Sequence, residues 1–164
     1  MGKPIIFTDK GFNEVSSAFG RLDRLPQKAV SKAAAKGGSV LLKAAKGAVP
    51  VRTGTMKGAI IRRAEKTRIS GKKGYDVYFD PAYNEVLQKP VKQPGAAGSK
   101  STGSGHAYYP ASMEFGYLTR SKGGGLSYVP GYHFMRDSAA DSSAAVKKTM
   151  VDALTKEIDK EWSK

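Results

Sequence analysis

Ala59-Ile60-Ile61-Arg62-Arg63-Ala64-Glu65-Lys66-Thr67-Arg68-Ile69 is followed by Gly71-Lys72-Lys73-Gly74 and then by Tyr75-Asp76-Val77-Tyr78-Phe79. Apolar, β-branched and aromatic residues on either side of a glycine-bounded turn predict two strands, 59–69 and 75–79, paired as an antiparallel hairpin with a basic tip. Both flanks of this stretch are helical in pattern. Upstream, Phe12, Val15, Phe19 and Leu22 recur at helical spacing after a loosely held first ten residues. Leu25-Pro26 marks a break, because proline restricts the residue before it and fits the first turn of a second helix. That second helix carries Val30, Ala34, Gly37, Leu41 and Ala45 on one face of small residues, which lets another backbone approach closely. Lys28, Lys32, Lys36, Lys43 and Lys46 keep the rest wet. It stops near Gly47, with Pro50 beyond.

Downstream, Met150, Leu154, Ile158 and Trp162 repeat every four residues, with Val146 and Val151 alongside, and Asp137, Ser138 and Asp141 suit the start of this last helix. Between hairpin and last helix lie two stretches that can bury little apolar area. Residues 88–107 hold Gln88-Lys89-Pro90-Val91-Lys92-Gln93-Pro94 and a Gly/Ser/Lys run, and residues 119–127 hold Gly123-Gly124-Gly125; both read as flexible loops within one domain. The expectation is a single α+β domain over residues 1–164, a small antiparallel sheet packed against N-terminal helices and a long C-terminal helix.

Charge is the unusual bulk property. The 164 residues carry 28 Lys and Arg against 14 Asp and Glu, a formal net charge of +14. Residues 1–74 hold 17 of the bases and 4 of the acids, so the excess sits in the first half. A polyanion or an acidic neighbour in an assembly is the natural partner of such a surface. The absence of cysteine excludes disulfides, thiolate metal sites and cysteine nucleophiles. No apolar run is long enough to span a membrane, and the first residues lack the apolar core of a signal peptide.

Motifs for catalysis are missing. His106 has no ligand-type residue three or four positions away, and His133 has Asp137 alone, short of a metal-ligand set. Gly103-Ser104-Gly105 lies in low-complexity sequence and not after a strand, and no phosphate-binding loop or dinucleotide fingerprint occurs. Asp76 and Asp80 flank a strand end without a third ligand. No cofactor or metal is expected, and the chain reads as a non-enzyme.

Three segments taken in order resemble a known family. They are Ala48-Val49-Pro50-Val51-Arg52-Thr53-Gly54-Thr55-Met56-Lys57, then Tyr108-Tyr109-Pro110-Ala111-Ser112-Met113-Glu114-Phe115-Gly116, then Pro130-Gly131-Tyr132-His133-Phe134-Met135-Arg136. Together, over roughly residues 12–162, they resemble the tail-component, or tail-completion, family of long-tailed bacteriophages and prophages. The chain departs from the family pattern in the Gly/Ser/Lys insertion before Tyr108 and the Gly-rich loop after Phe115. The resemblance implies a virion protein of the tail and neck, assembled in the host cytoplasm. It would work as a homo-oligomeric ring, a hexamer by family expectation. Its partners would be the tail tube protein, a head-completion or connector protein, and the genomic DNA passing by.

The same segments have a direct physical reading. Thr53 can cap a short helical turn, Gly54 allows a tight reversal, and Arg52 at that corner either merely joins helix to strand or contacts a subunit. Tyr109, Met113 and Phe115 are anchors of the kind enriched at interfaces, with core and interface equally open for Phe115. Glu114 is expected to pair with Arg52 or Arg136, and Phe134 and Met135 to dock the last helix on the sheet. Lys72, Lys73, Lys89, Lys92 and Lys100 are the candidates to face DNA as non-specific electrostatic lining. The competing expectation is a basic nucleic-acid-binding module without catalysis, which rests on the charge and the tyrosines.

Overall fold

The computed structural model describes residues 9–69, 71–90, 106–120 and 125–162, with side chains described over 27–69, 71–89, 107–119 and 125–160. A long helix, α1 (Asp9–Ala48), leads into a short helix α2 (Thr55–Ala59) and the hairpin β1 (Ile60–Ala64) and β2 (Tyr75–Phe79). A single 3-10 turn (Pro81–Tyr83) and α3 (Asn84–Leu87) follow, then β3 (Gln88–Pro90) paired with β4 (His106–Tyr108), and α4 (Tyr109–Phe115). The chain closes with β5 (Tyr117–Arg120), β6 (Leu126–Val129) and α5 (Phe134–Trp162). The α+β architecture is as expected, but among the described residues the strands form three separate two-stranded antiparallel ribbons and not one sheet.

The hairpin pairs Ile60 with Phe79 and Ala64 with Tyr75. Its first strand is shorter than the sequence suggests, because Ala59 ends α2 and pairing stops after Ala64. The expected break at Pro26 is also absent: α1 runs straight through it, and Asp9 and Lys10 are helical too. A mid-helix proline removes one hydrogen bond and crowds the preceding turn, so it is a bias against helix that neighbouring turns can override.

The small face of α1 does what its residues allow. Ala29, Ala33, Ala34 and Ala45 are buried, and α1 packs most extensively against α5. A Cβ built on Gly37 would lie 2.5 Å from Met150 Cγ on α5, whereas one on Gly38 would meet Arg62 and Tyr75 of the hairpin. Adjacent glycines therefore seat α1 between two layers. Arg62 stacks over the Tyr75 ring at 4.8 Å and turns its guanidinium back to donate to the Ala35 carbonyl and Ser39 Oγ. Lys32 Nζ reaches Glu157 Oε2 on α5 at 2.6 Å.

The core gathers Ala45, Val49, Met56, Ala59, Ile60, Leu87 and Phe134, with Phe79, Tyr108, Tyr109, Met113 and Met135 packed around them. Phe79 meets both Tyr108 and Phe134 edge to face, at 6.5 and 6.3 Å. Phe134 and Met135 thus dock α5 as expected. On α5 the buried line runs through Phe134, Ser138, Ser142 and Ala153, while Val151 and Ile158 are exposed. The two buried serines satisfy their hydroxyls on the Met135 and Ser138 carbonyls.

Candidate functional site

All three family-like segments converge on that core, the first through Val49 and Met56, the second through Tyr108, Tyr109 and Met113, the third through Phe134 and Met135. The second and third are locked together at backbone level. Tyr132 N–H donates to the Met113 carbonyl at 2.7 Å and His133 N–H to the Glu114 carbonyl at 3.1 Å. Glycine is required on both sides of this crossing: a Cβ on Gly131 would collide with the Glu114 carbonyl, and one on Gly116 (φ +84°) with the Val129 carbonyl.

Glu114 occupies a different role from the expected ion pair. Its side chain is only 6% exposed. Its two oxygens accept from the backbone N–H groups of Met135 at 2.9 Å and Arg136 at 3.1 Å. These are open donors of the first turn of α5, so a carboxylate from another element caps the helix and faces its positive dipole end. Arg136 instead pairs through Nε with Asp137 Oδ1 at 2.8 Å. That contact raises the Arg136 pKa and holds the Asp137 carboxyl below its ordinary value. The start of α5 accordingly lies at Phe134, ahead of the Asp137, Ser138 and Asp141 set that the sequence suggests. His133, just before it, adopts φ +50°, a left-handed conformation held in place by its bond to Glu114.

Thr53 does not cap α2. Gly54, at φ +78°, is the N-cap residue, and Thr53 Oγ1 lies 3.0 Å from Thr55 Oγ1. Arg52 and Thr53 are exposed and line a pocket of about 480 Å³ with Pro50, Val86, Lys89 and Tyr109. Lys89 Nζ stands 5.9 Å from the centre of the Tyr109 ring. At the hairpin tip, Lys73 Nζ donates to the Glu65 carbonyl at 2.9 Å and Lys72 Nζ is 4.0 Å from its carboxylate. These two basic candidates thus share an acidic neighbour. Lys92 and Lys100 lie outside the described residues, as do 91–105 and 121–124 of the two expected loops. The described flanks of those loops, 88–90 with 106–108 and 117–120 with 126–129, are paired strands.

The sequence reading missed an exposed apolar surface around β5 and β6. Phe115 is 66% exposed and Tyr132 64%, and Tyr117, Leu118, Leu126 and Tyr128 are exposed with them. Successive residues of a strand face opposite sides, so the exposure of both Tyr117 and Leu118 leaves the ribbon uncovered on both faces. Leu118 pairs with Tyr128 across it, and Tyr128 Oη donates to the Phe115 carbonyl at 2.6 Å, tying ribbon to α4. Glycine-rich composition hid these strands; the aromatic spacing after Gly116 was the available signal.

Among the described residues no group of three or more His, Asp or Glu side chains could hold a metal ion, and no helix is long and apolar enough to cross a membrane. No family model, curated protein or solved structure matches the chain.

Proposed function

We propose that this chain is a ring-forming structural subunit at the head-proximal end of a phage tail, where it completes the tail or joins it to the head, without catalysis. The three ordered segments support the phage assignment by resemblance. The observation that carries the assembly reading is the β5–β6 ribbon. An isolated two-stranded ribbon is marginally stable in water, and clustered exposed apolar side chains mark interaction sites. Phe115, Tyr117, Leu118, Leu126, Tyr128 and Tyr132 form such a cluster.

A closed ring joins two different surfaces of each protomer. The ribbon is one. The pocket holding Arg52, Thr53, Lys89 and Tyr109 is the other, since it combines an apolar floor with basic groups at its edge. The small-residue face of α1 is not available for this purpose, because α5 covers it within the same chain.

Native mass spectrometry of the purified chain, alone and with its tail tube protein, tests the reading. Closed oligomers are expected. Phe115→Asp combined with Leu126→Asp should yield monomers with an unchanged far-UV circular dichroism spectrum, as both side chains are exposed, and with a melting temperature that no longer depends on protein concentration. Wild-type protein that stays monomeric with tail tube present, or purified particles without this chain at the neck, would overturn it.

A further inference from the structure

Residues 24–64 contain ten Lys and Arg and no Asp or Glu. Within that run, Lys28, Lys32, Lys36, Lys43 and Lys46 lie on α1. At about 100° per residue they share a stripe about 80° wide and about 27 Å long. Ala29, Ala33, Ala34, Gly37 and Ala45 face the interior, so the stripe looks outward. Lys28, Lys32, Lys36 and Lys43 are exposed and Lys46 is half-buried at the last turn. Lys32 is tied to Glu157, while Lys28, Lys36, Lys43 and Lys46 have no carboxylate within salt-bridge distance among the described residues.

We infer that this lysine stripe is a binding surface for the phosphate backbone of duplex nucleic acid, contacted without reading sequence. Like charges at i and i+4 repel along a helix, and a merely soluble face intersperses both signs; Lys28, Lys32 and Lys36 do the opposite. Composition separates nucleic acid from a protein partner. Protein interfaces are enriched in aromatic residues and depleted in lysine. Here the residues beside the lysines are Ser31, Ala35, Ser39 and Gly47, and the long aliphatic side chain at the stripe's edge, Leu42, is half-buried and packed against the core, so it is not free to act as an anchor. A straight line of point charges instead matches a straight anionic rod carrying one charge per about 1.7 Å of its axis. The tip lysines Lys72 and Lys73 are weaker candidates, since both are engaged with Glu65. The inference rests on the proposed function only in supplying the surface that meets the passing genome, and ring closure through the ribbon does not depend on it.

Fluorescence anisotropy of the full chain with a labelled duplex of about 20 base pairs, titrated across a salt series, tests it. Four to five phosphate contacts give a log–log salt slope of about −4. Lys36→Gln with Lys43→Gln should weaken binding by about tenfold or more at ~0.1 M salt and flatten the slope by about 2. Lys72→Gln with Lys73→Gln should change both less. The single substitutions Lys36→Gln and Lys43→Gln, each read beside a thermal melt, decide the matter if the double variant is poorly folded. Unchanged affinity and slope in the stripe variants, a larger loss in the tip variant, or absence of duplex binding at low salt overturns the inference. So does tighter binding of the labelled chain to an acidic protein surface, read as a salt-dependent complex that duplex cannot displace. Oligomeric state measured on the same samples separates this failure from failure of the ring.

Discussion

Glu114 sits between an exposed Phe115 and a half-buried Met113, yet its own carboxylate is enclosed and spent on two backbone N–H groups. Glu114→Ala would take the capping carboxylate away from both part-buried donors and remove the charge at the dipole end of α5. A loss of about 2–3 kcal/mol is expected in urea unfolding, and a loss below about 0.5 kcal/mol would show that the cap contributes nothing. Glu114→Gln keeps one acceptor oxygen and should fall between. At the other end of the scale, the half-buried Glu157 and the exposed Asp137 are carboxyls held below their ordinary values, first by hydrogen bonds from Lys32 and Arg136 respectively. A depressed folded-state pKa adds stability above the ordinary carboxyl value, and this is lost as pH falls through the lowered one. Melting temperature should therefore hold from neutral into mild acid and decline below the ordinary carboxyl range, and Glu157→Gln should remove part of that decline. The sequence marks Glu114 as an acid among apolar residues that needs a partner. It does not reveal the partner, because backbone N–H groups carry no residue identity and become available only where α5 happens to begin.

The two long helices and the first hairpin were legible because periodicity over many residues is a strong signal. The small face of α1 and the stop near Gly47 follow from residue type alone, whereas the connection between the hairpin strands starts after Ala64 and is longer than the Gly71–Gly74 turn that the glycines suggest. The second and third ribbons were not legible. Strands of three and four residues offer too few alternations to stand out, and glycine and serine between them signal a loop whether or not the flanks pair. Continuity of α1 through Pro26 was missed for the converse reason, since a local rule was weighed without the turns around it. Helix packing gives a sharp test on adjacent glycines. Gly38→Ala places its Cβ 3.0 Å from Tyr75 Cβ, an atom fixed close to the strand backbone, and should cost about 1–3 kcal/mol. Gly37→Ala meets Met150 Cγ at 2.5 Å and Sδ at 2.8 Å, with Val146 Cγ1 at 3.3 Å, so the unbranched Met150 side chain must change rotamer, and the better helix propensity of alanine offsets part of that crowding. Its stability should stay within about 1 kcal/mol of wild type. Chemical denaturation of the two variants checks the order, and a larger loss at Gly37 would mean that α1 rests more tightly on α5 than on the hairpin.

At the scale of the whole molecule, charge and apolarity are segregated. The lysine stripe of α1 lies on the face opposite its buried residues, and the uncovered aromatic side chains gather around β5 and β6, away in sequence from that run. Phe115→Asp with Leu126→Asp should therefore abolish oligomers and leave duplex affinity per chain unchanged, whereas the stripe substitutions should do the reverse; a variant pair that moves both readouts together would mean the two surfaces are one. The pairing of Pro90 with His106 in the β3–β4 ribbon has a practical corollary. Whatever its length, the run of residues 91–105 departs and rejoins at neighbouring backbone positions, so its length is uncoupled from the rest of the chain, and lengthening a loop adds only slowly to closure entropy. An affinity tag or a small reporter domain grafted there should be carried with only a few degrees' change in melting temperature, giving a handle for locating each copy within a larger particle.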